Sequence, residues 1–173
     1  YYRSYVKYLL KFTREGILKD LNEAIRLNQE NDKYFARRSF LIANTYDPQL
    51  GSVNYKAAVA DIQRAIELAP DNAEYYKESG LLHMAMGQTL SSTMAFNKAI
   101  ELEPNDSRHY YTRGVIYREM GKCKDAIEDF NKAIELNPSK FSKLASLFYK
   151  RAYVNSILAQ LEEALQDYDK ALI

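Results

Sequence analysis

The sequence has few of the residues that mark special structural classes. It contains one cysteine, Cys123, no tryptophan, six glycines and four prolines among 173 residues. A single cysteine excludes an internal disulfide framework and fits a reducing compartment. So few glycines and prolines exclude a collagen-like chain or a long flexible linker. The chain should therefore fold, and we expect an intracellular, cytoplasmic protein, with association to the cytoskeleton or an organelle left open.

Charge of one sign and long apolar runs are missing as well. The 24 basic and 23 acidic residues give a net charge of +1, so no overall field would attract nucleic acid or an anionic membrane. Residues 79–97 carry no formal charge, but their hydroxyl and amide side chains are too polar for a bilayer span. We therefore expect no nucleic-acid partner, no direct membrane contact and no signal peptide.

Groups that would perform catalysis do not occur in a recognisable arrangement. The two histidines, His83 and His109, have no HExxH or paired-cysteine context, so neither predicts a zinc site. No GxGxxG or GxxxxGK[ST] sequence is present to hold phosphates at a helix N-terminus. The sequence thus predicts a non-enzymatic chain without cofactor or metal, in which both histidines pack structurally.

An internal repeat dominates what is present. AFNKAIELEPND at 95–106 returns as DFNKAIELNPSK at 129–140, and Pro70, Pro104 and Pro138 are each 34 residues apart. Within a repeat, apolar residues recur three and four apart, which predicts two helices per unit. Gly121 is expected to end the first helix, Pro138 to end the second, and Ser139 to cap the next.

These marks resemble the tetratricopeptide repeat family. Its pattern places aromatic, glycine, alanine and proline residues at fixed positions of a 34-residue unit, and residues 73–106 depart from it at His83 and Ser92. Residues 107–140 carry every mark: Tyr110, Gly114, Tyr117, Gly121, Ala126, Phe130, Ala133 and Pro138. The resemblance implies an all-α fold, a right-handed α-solenoid of stacked antiparallel helix pairs.

The resemblance divides the whole chain into one array of five units, 1–31, 32–70, 73–106, 107–140 and 141–173. Residues 1–31 are expected to form a degenerate helix pair. The insert YDPQLGS, which contains Asp47, Pro48 and Gly51, predicts a loop in the second unit. Residues 141–144 are expected to lengthen a helix of the fifth unit by about one turn. Because the chain starts at Tyr1 rather than Met and stops at Ile173 within a repeat, we expect a fragment of a longer protein.

Family resemblance also implies a concave groove that binds a peptide or a partner's helix. Its expected lining mixes apolar, aromatic and basic side chains, which suits a segment with apolar anchors and acidic residues. Some of these side chains could instead only pack against the next helix. The predicted groove residues are Arg37, Phe40, Lys77, Leu81, Met84, Arg108, Tyr111, Val115, Arg118, Tyr149, Lys150 and Tyr153.

A second predicted contact lies on the outer face of the third unit. Leu90, Ser91 and Met94 are uncharged where the equivalent positions of other units carry charges, so this strip is a candidate lateral contact. Harmless surface variation is the alternative.

One family function can be tested on the residues themselves. The carboxylate clamp that grips chaperone C-termini needs basic and amide residues at positions where this chain has Leu81, Thr112 and Ser146. A clamp-type chaperone adaptor is therefore not expected. The leading prediction is a non-catalytic scaffold or adaptor. Its alternatives are the substrate-positioning region of an enzyme such as a protein glycosyltransferase, or a homo-oligomeric self-assembly module.

Overall fold

A computed structural model of the chain describes residues 2–47, 52–136 and 144–172, with side chains described from residue 14 onward. The helices are α1 Tyr2–Leu27, α2 Asp32–Ala43, α3 Tyr55–Leu68, α4 Ala73–Ala85, α5 Thr89–Leu102, α6 Ser107–Glu119, α7 Cys123–Glu135, α8 Leu144–Ile157 and α9 Leu161–Ala171. Strands β1 Tyr46–Asp47 and β2 Ser52–Val53 pair antiparallel. Across these ranges, none of the helices has the length and apolar character needed to cross a membrane.

The chain divides into two compact units, unit 1 Tyr1–Met86 and unit 2 Gly87–Ile173. In unit 1, α2 packs against α1, α3 and α4, and α3 also packs against α4. In unit 2, each helix from α5 to α8 packs against the one that follows it. Short connections force neighbouring helices to run antiparallel. We call α2, α4, α6 and α8 first helices, and α3, α5, α7 and α9 second helices.

Helix starts and stops follow from local residue chemistry. The side chains of Asn31, Asn54, Asn72 and Asp106 each accept a hydrogen bond from a backbone N–H in the first turn of the helix that follows. Gly121 lies just past α6 with φ +72°, which confirms the predicted end of that helix. The predicted roles of Pro138 and Ser139 lie outside the described residues.

Each unit has its own apolar core. The core of unit 1 includes Phe35, Ala58, Ile62, Ala65, Ile66, Tyr75 and Leu82, and that of unit 2 includes Ala126, Phe130, Ala133, Leu147 and Val154. Ala126, Phe130 and Ala133, which are marks of the repeat, are 0% exposed. A Cβ added to Gly114 would lie 2.8 Å from Cε1 of Phe130, so only glycine fits there without movement.

The structure corrects one sequence-based expectation and adds detail to another. Residues 1–31 do not form a helix pair, because α1 runs without a break from Tyr2 to Leu27. A glycine inside a helix costs about 1 kcal/mol relative to alanine but does not end it, so Gly16 is tolerated. The insert predicted to be a loop starts and ends in short paired strands, with Tyr46 opposite Val53. The predicted extension at 141–144 falls mostly outside the described residues, which resume at Leu144.

A buried ion pair fixes each of three first helices to the second helix that follows it. Arg113 of α6 donates from Nε and Nη2 to both carboxylate oxygens of Asp129 on α7, at 2.8 and 2.7 Å, and from Nη1 to Asn97 of α5 at 2.7 Å. The same arrangement joins Arg38 to Asp61 and Asn22, and Arg151 to Asp167 and Asn131. We call these three groups the arginine clamps. Bidentate pairs of this kind fix orientation as well as distance.

Candidate protein-binding surfaces

The predicted groove residues of unit 1 lie on two first helices that contact each other. Arg37 and Phe40 are on α2, and Lys77, Leu81 and Met84 are on α4. Phe40 is 49% and Leu81 40% exposed, and the Arg37 guanidinium lies 5.8 Å from the centre of the Phe40 ring. Lys77 forms an ion pair with Glu74 one turn earlier. We call these five residues the first-helix surface of unit 1.

Helical periodicity explains why these side chains remain outside. Phe35 and Ser39 of α2 and Leu82 of α4 point into the packed side of their helices and are buried. Residues such as Phe40 and Leu81 fall on the remaining arc of the same helices. They are therefore placed by the packing of their neighbours while their own apolar surface stays uncovered.

The predicted groove residues of unit 2 divide into packed and exposed members. Tyr111 and Val115 pack against the unit 2 core, and the Tyr111 ring centre lies 6.3 Å from that of Phe130. Tyr149 is 54% and Tyr153 45% exposed, both on α8. The first-helix surface of unit 2 consists of Arg108, Tyr111, Val115, Arg118, Tyr149, Lys150 and Tyr153. Their role in binding stays a prediction.

Ionic contacts restrain the two arginines of this surface. Arg108 donates from its side chain to both carboxylate oxygens of Asp106, the residue that caps α6. Arg118 lies 3.6 Å from a carboxylate oxygen of its neighbour Glu119. Arg108 thus contacts the capping residue at the start of its own helix, in addition to any contact with a partner.

An apolar pocket lies beside Tyr149, between α8 and α9. Its volume is about 360 Å³, and its walls include Ala145, Ser146, Tyr149, Tyr168, Ala171 and Leu172. The Tyr149 and Tyr168 rings meet edge to face, with their centres 5.6 Å apart. Pockets of this size and composition accept apolar side chains or small apolar groups.

The uncharged outer strip lies on α5. Leu90 is 69% and Met94 72% exposed, one turn apart, and Ser91 beside them is also exposed. Two large apolar side chains at neighbouring positions of one helix form a continuous patch. The proposed contact itself stays a prediction.

Glu78 is not among the groove residues predicted from the sequence. Glu78 of α4 is half-buried, and its Oε1 has no hydrogen-bond partner. Burial raises the pKa of the Glu78 carboxyl to about 7. The sequence did contain a signal for this residue. At the sixth position of a unit, α4 has the carboxyl of Glu78, whereas α6 has Thr112 and α8 has Lys150.

Three groups able to hold a metal lie together where α5 meets α6. These are Glu103, Asp106 and His109, whose ligand atoms lie within 4.8 Å of one another. Asp106 already accepts from the Arg108 backbone and side chain, and the buried Nδ1 of His109 has no hydrogen-bond partner. Ligating histidines normally donate from their other nitrogen, so this arrangement fits a capped helix start better than a metal centre. The His109 ring is fully buried, with its centre 6.4 Å from that of Phe96.

Taken together, paired helices stacked through repeated small and aromatic residues define an all-α solenoid. Family models described as tetratricopeptide repeat match residues 107–140 and 73–106. Residues 73–140 of the chain therefore resemble two consecutive tetratricopeptide repeats. This match supports a protein-protein interaction scaffold as its class.

Solved structures of several proteins share the fold. A crystal structure of MamA is 19% identical with a TM-score of 0.82, covering 96% of this chain and 91% of that chain. MamA 41-end from Desulfovibrio magneticus RS-1 is 20% identical with a TM-score of 0.79, covering 99% and 91%. YrrB, described as a TPR protein with an unusual peptide-binding site, is 19% identical with a TM-score of 0.75, covering 92% and 77%. At these identities, the likeness shows the fold alone.

One curated relative is similar over a shorter segment. The Hsp70-Hsp90 organizing protein of Triticum aestivum is 30% identical over 77 residues, which make up 44% of this chain. The matched segment spans 12% of that protein. The positions at which a carboxylate clamp would need basic and amide residues hold Leu81, Thr112 and Ser146 in this chain, and the absence of that clamp stays a prediction.

Proposed function

We propose that this chain is a non-catalytic interaction scaffold or adaptor in a larger intracellular assembly. Its first-helix surfaces bind a peptide or helix that has apolar anchors and acidic residues. The observation that carries the proposal is the exposure of large apolar side chains beside basic residues on first helices. Phe40 and Leu81 in unit 1, and Tyr149 and Tyr153 in unit 2, keep between 40% and 54% of their surface open.

Two physical arguments connect this observation with the partner's chemistry. Tyr and Phe offer large contact areas while losing little conformational entropy, so they act as anchors in many interfaces. Arg37 lies beside Phe40, so an acidic group of a partner would find a cation next to that apolar contact, and Lys150 lies on the same helix as Tyr149 and Tyr153. The partner is expected to place apolar residues between acidic ones.

Point variants of exposed residues test the proposal without disturbing the cores. We would immobilise the wild-type chain, a Phe40→Glu/Leu81→Glu variant and a Tyr149→Glu/Tyr153→Glu variant, and capture partners from the native cell. Leu165→Glu is the matched control, because Leu165 is 63% exposed on the second helix α9. Equal helicity by circular dichroism would establish that the variants fold.

The expected result is loss of a partner by at least tenfold in one double variant, with retention by the Leu165→Glu control. Purified partner and chain would then be measured by titration calorimetry with the same variants. Retention of every partner by both double variants would contradict binding through the first-helix surfaces.

The outer strip on α5 is a second candidate contact. Leu90 and Met94 are the observation that favours it, since both are more exposed than any predicted groove residue with a large apolar side chain in the described part of the chain. Leu90→Lys/Met94→Lys should release a partner, or a second copy, that binds there. Light scattering would detect self-association as a mass above 20.0 kDa. If the double variant changes neither partners nor mass, the strip is not a contact.

A further inference from the structure

An unpaired carboxyl lies between the two first helices of unit 1. Glu78 projects from α4, and Ser39 of the contacting helix α2 is 0% exposed. Within the described part of the chain, neither the buried Ser39 Oγ nor the buried Glu78 Oε1 has a hydrogen-bond partner. Buried polar atoms in folded proteins are nearly always paired, so this cluster needs an explanation beyond packing.

Packing alone does not require a hydroxyl at residue 39. In unit 2, the same place in the repeat is held by Gly114 on α6 and Ala152 on α8, once the inserted residues are allowed for. Both are fully or nearly fully buried small residues without a polar side chain. The Ser39 hydroxyl is therefore an addition of unit 1, and it is positioned toward the helix that carries Glu78.

Charged groups on α4 and on the helices packed against it are engaged in other contacts. On α4, Lys77 forms an ion pair with Glu74, and the Tyr75 hydroxyl donates to Asp32 of α2 at 2.6 Å. From α2 and α3, Arg38 and Asp61 form an arginine clamp with each other. Among the residues that the structure describes, Glu78 thus has no ion-pair partner.

These surroundings favour the neutral carboxyl near physiological pH. Burial is the largest cause that raises the Glu78 pKa, to about 7, and the negative charge of Glu74 adds to it. The Ser39 hydroxyl and the Lys77 charge act in the opposite direction. At a pH equal to this pKa, half of the Glu78 carboxyls are ionised and half are neutral.

We propose that Glu78 is a proton switch of the first-helix surface of unit 1. The neutral carboxyl stays packed against Ser39 between α2 and α4, whereas the ionised carboxylate adds a negative charge beside Arg37, Phe40, Lys77 and Leu81. An acidic partner is then bound more weakly above neutral pH, because the added charge repels it. The consequence for a partner rests on the proposed function, but the switch itself does not.

The switch can be tested on the isolated chain without any ligand. Carbon-13 NMR of the glutamate carboxyls between pH 4 and 9 would follow Glu78, with Glu78→Gln identifying its resonance by removal. The expected midpoint is about 7. Ser39→Ala should raise the midpoint, because it removes the neighbouring hydroxyl that lowers the Glu78 pKa. A wild-type midpoint near the ordinary value of 4.5, or one that Ser39→Ala leaves unchanged, would overturn the proposal.

A second readout in the same titration tests the coupling to the surface. The Phe40 ring and Leu81 methyl resonances should shift with the Glu78 midpoint in the wild type and stay constant in Glu78→Gln over the same pH range. If Glu78 titrates near 7 while these resonances do not follow it, the carboxyl is not a switch of this surface. Because no partner is present, these results stand apart from any failure of partner binding.

Discussion

Units 1 and 2 share a frame but differ in the chemistry placed on it. Arginine clamps occur in both: Arg38 with Asp61 in unit 1, and Arg113 with Asp129 in unit 2. At the sixth position of a repeat, however, α4 of unit 1 carries Glu78 and α8 of unit 2 carries Lys150. The packing residues of the repeat are thus kept in both units, while the charge at the sixth position differs. The charge at this position can change without loss of the frame because the residues that form the repeat's core lie at other positions of the helix.

The clamp is the shared part, and breaking it should have the largest effect. Asp129→Ala leaves the guanidinium of Arg113 largely buried without its bidentate partner, since the Arg113 side chain is 19% exposed. We expect a loss of about 2–3 kcal/mol in the free energy of unfolding. Urea denaturation followed by circular dichroism would measure it. Glu128→Ala, an exposed change on the same helix, is the control, and equal losses in the two variants would refute a structural role for the clamp.

The small residue that packs at the equivalent position of each first helix also differs between the two units. Ser39 in unit 1 and Ala152 in unit 2 hold a Cβ at the place where Gly114 has none. In Gly114→Ala, the new Cβ would lie 2.8 Å from the fully buried Phe130 ring, so we expect a loss of about 2 kcal/mol from overpacking. Gly16→Ala is the matched control, because no atom lies within 4 Å of its added Cβ. That variant should instead gain about 0.5–1 kcal/mol from helix propensity, and a gain in both would contradict close packing at Gly114.

Much of the fold could be predicted because the repeat is defined by residue types at fixed positions close together in the sequence. The 34-residue period, the helical spacing and Gly121 lead to paired helices whose core contains Ala126 and Phe130. The continuous helix α1 could not be predicted, because a lone glycine such as Gly16 is compatible with both a break and an interior position. The tertiary packing decides between them.

The clamps were missed because they join residues from different helices. A signal was nevertheless present: Arg113 and Arg151 each precede their aspartate by 16 residues, and Arg38 precedes Asp61 by 23 because the seven-residue insert lies between them. At the binding surfaces, the sequence could not separate residues that pack, such as Tyr111, from residues that stay exposed, such as Tyr153. That distinction depends on the side chains of the next helix.

The difference at the sixth position should appear as a pH dependence of stability. Glu78 has a folded pKa of about 7 and an ordinary unfolded value of 4.5, so the folded state binds more protons between these values. Stability is then greatest below pH 4.5 for this group and falls as the pH rises through 7. After allowance for partial solvent exposure, we expect a fall of about 1–2 kcal/mol. Glu78→Gln should remove that fall in urea denaturation series from pH 5 to 8, and equal slopes in both proteins would contradict it.

The smallest expected effect compares two turns of unit 2. Gly121 follows α6 with φ +72°, and Ala159 follows α8 with φ +58°, at the same place in the repeat. Both turns close alike, with Lys122 N donating to Tyr117 O at 2.8 Å and Gln160 N donating to Asn155 O at 3.0 Å. Only glycine adopts this conformation without strain. Ala159→Gly should therefore gain about 0.5 kcal/mol, and Gly121→Ala should lose about 1 kcal/mol.

Thermal unfolding of the two reciprocal variants would measure this difference. Opposite signs are expected because the left-handed conformation disfavours a Cβ at both turns. Glycine also raises the entropy of the unfolded chain, so Ala159→Gly should gain less stability than Gly121→Ala loses. If Ala159→Gly destabilised the protein, the unfolded-state term would outweigh the strain at Ala159. The turn after α8 would then be held by its Gln160 to Asn155 hydrogen bond and its packing, rather than limited by the conformation of residue 159.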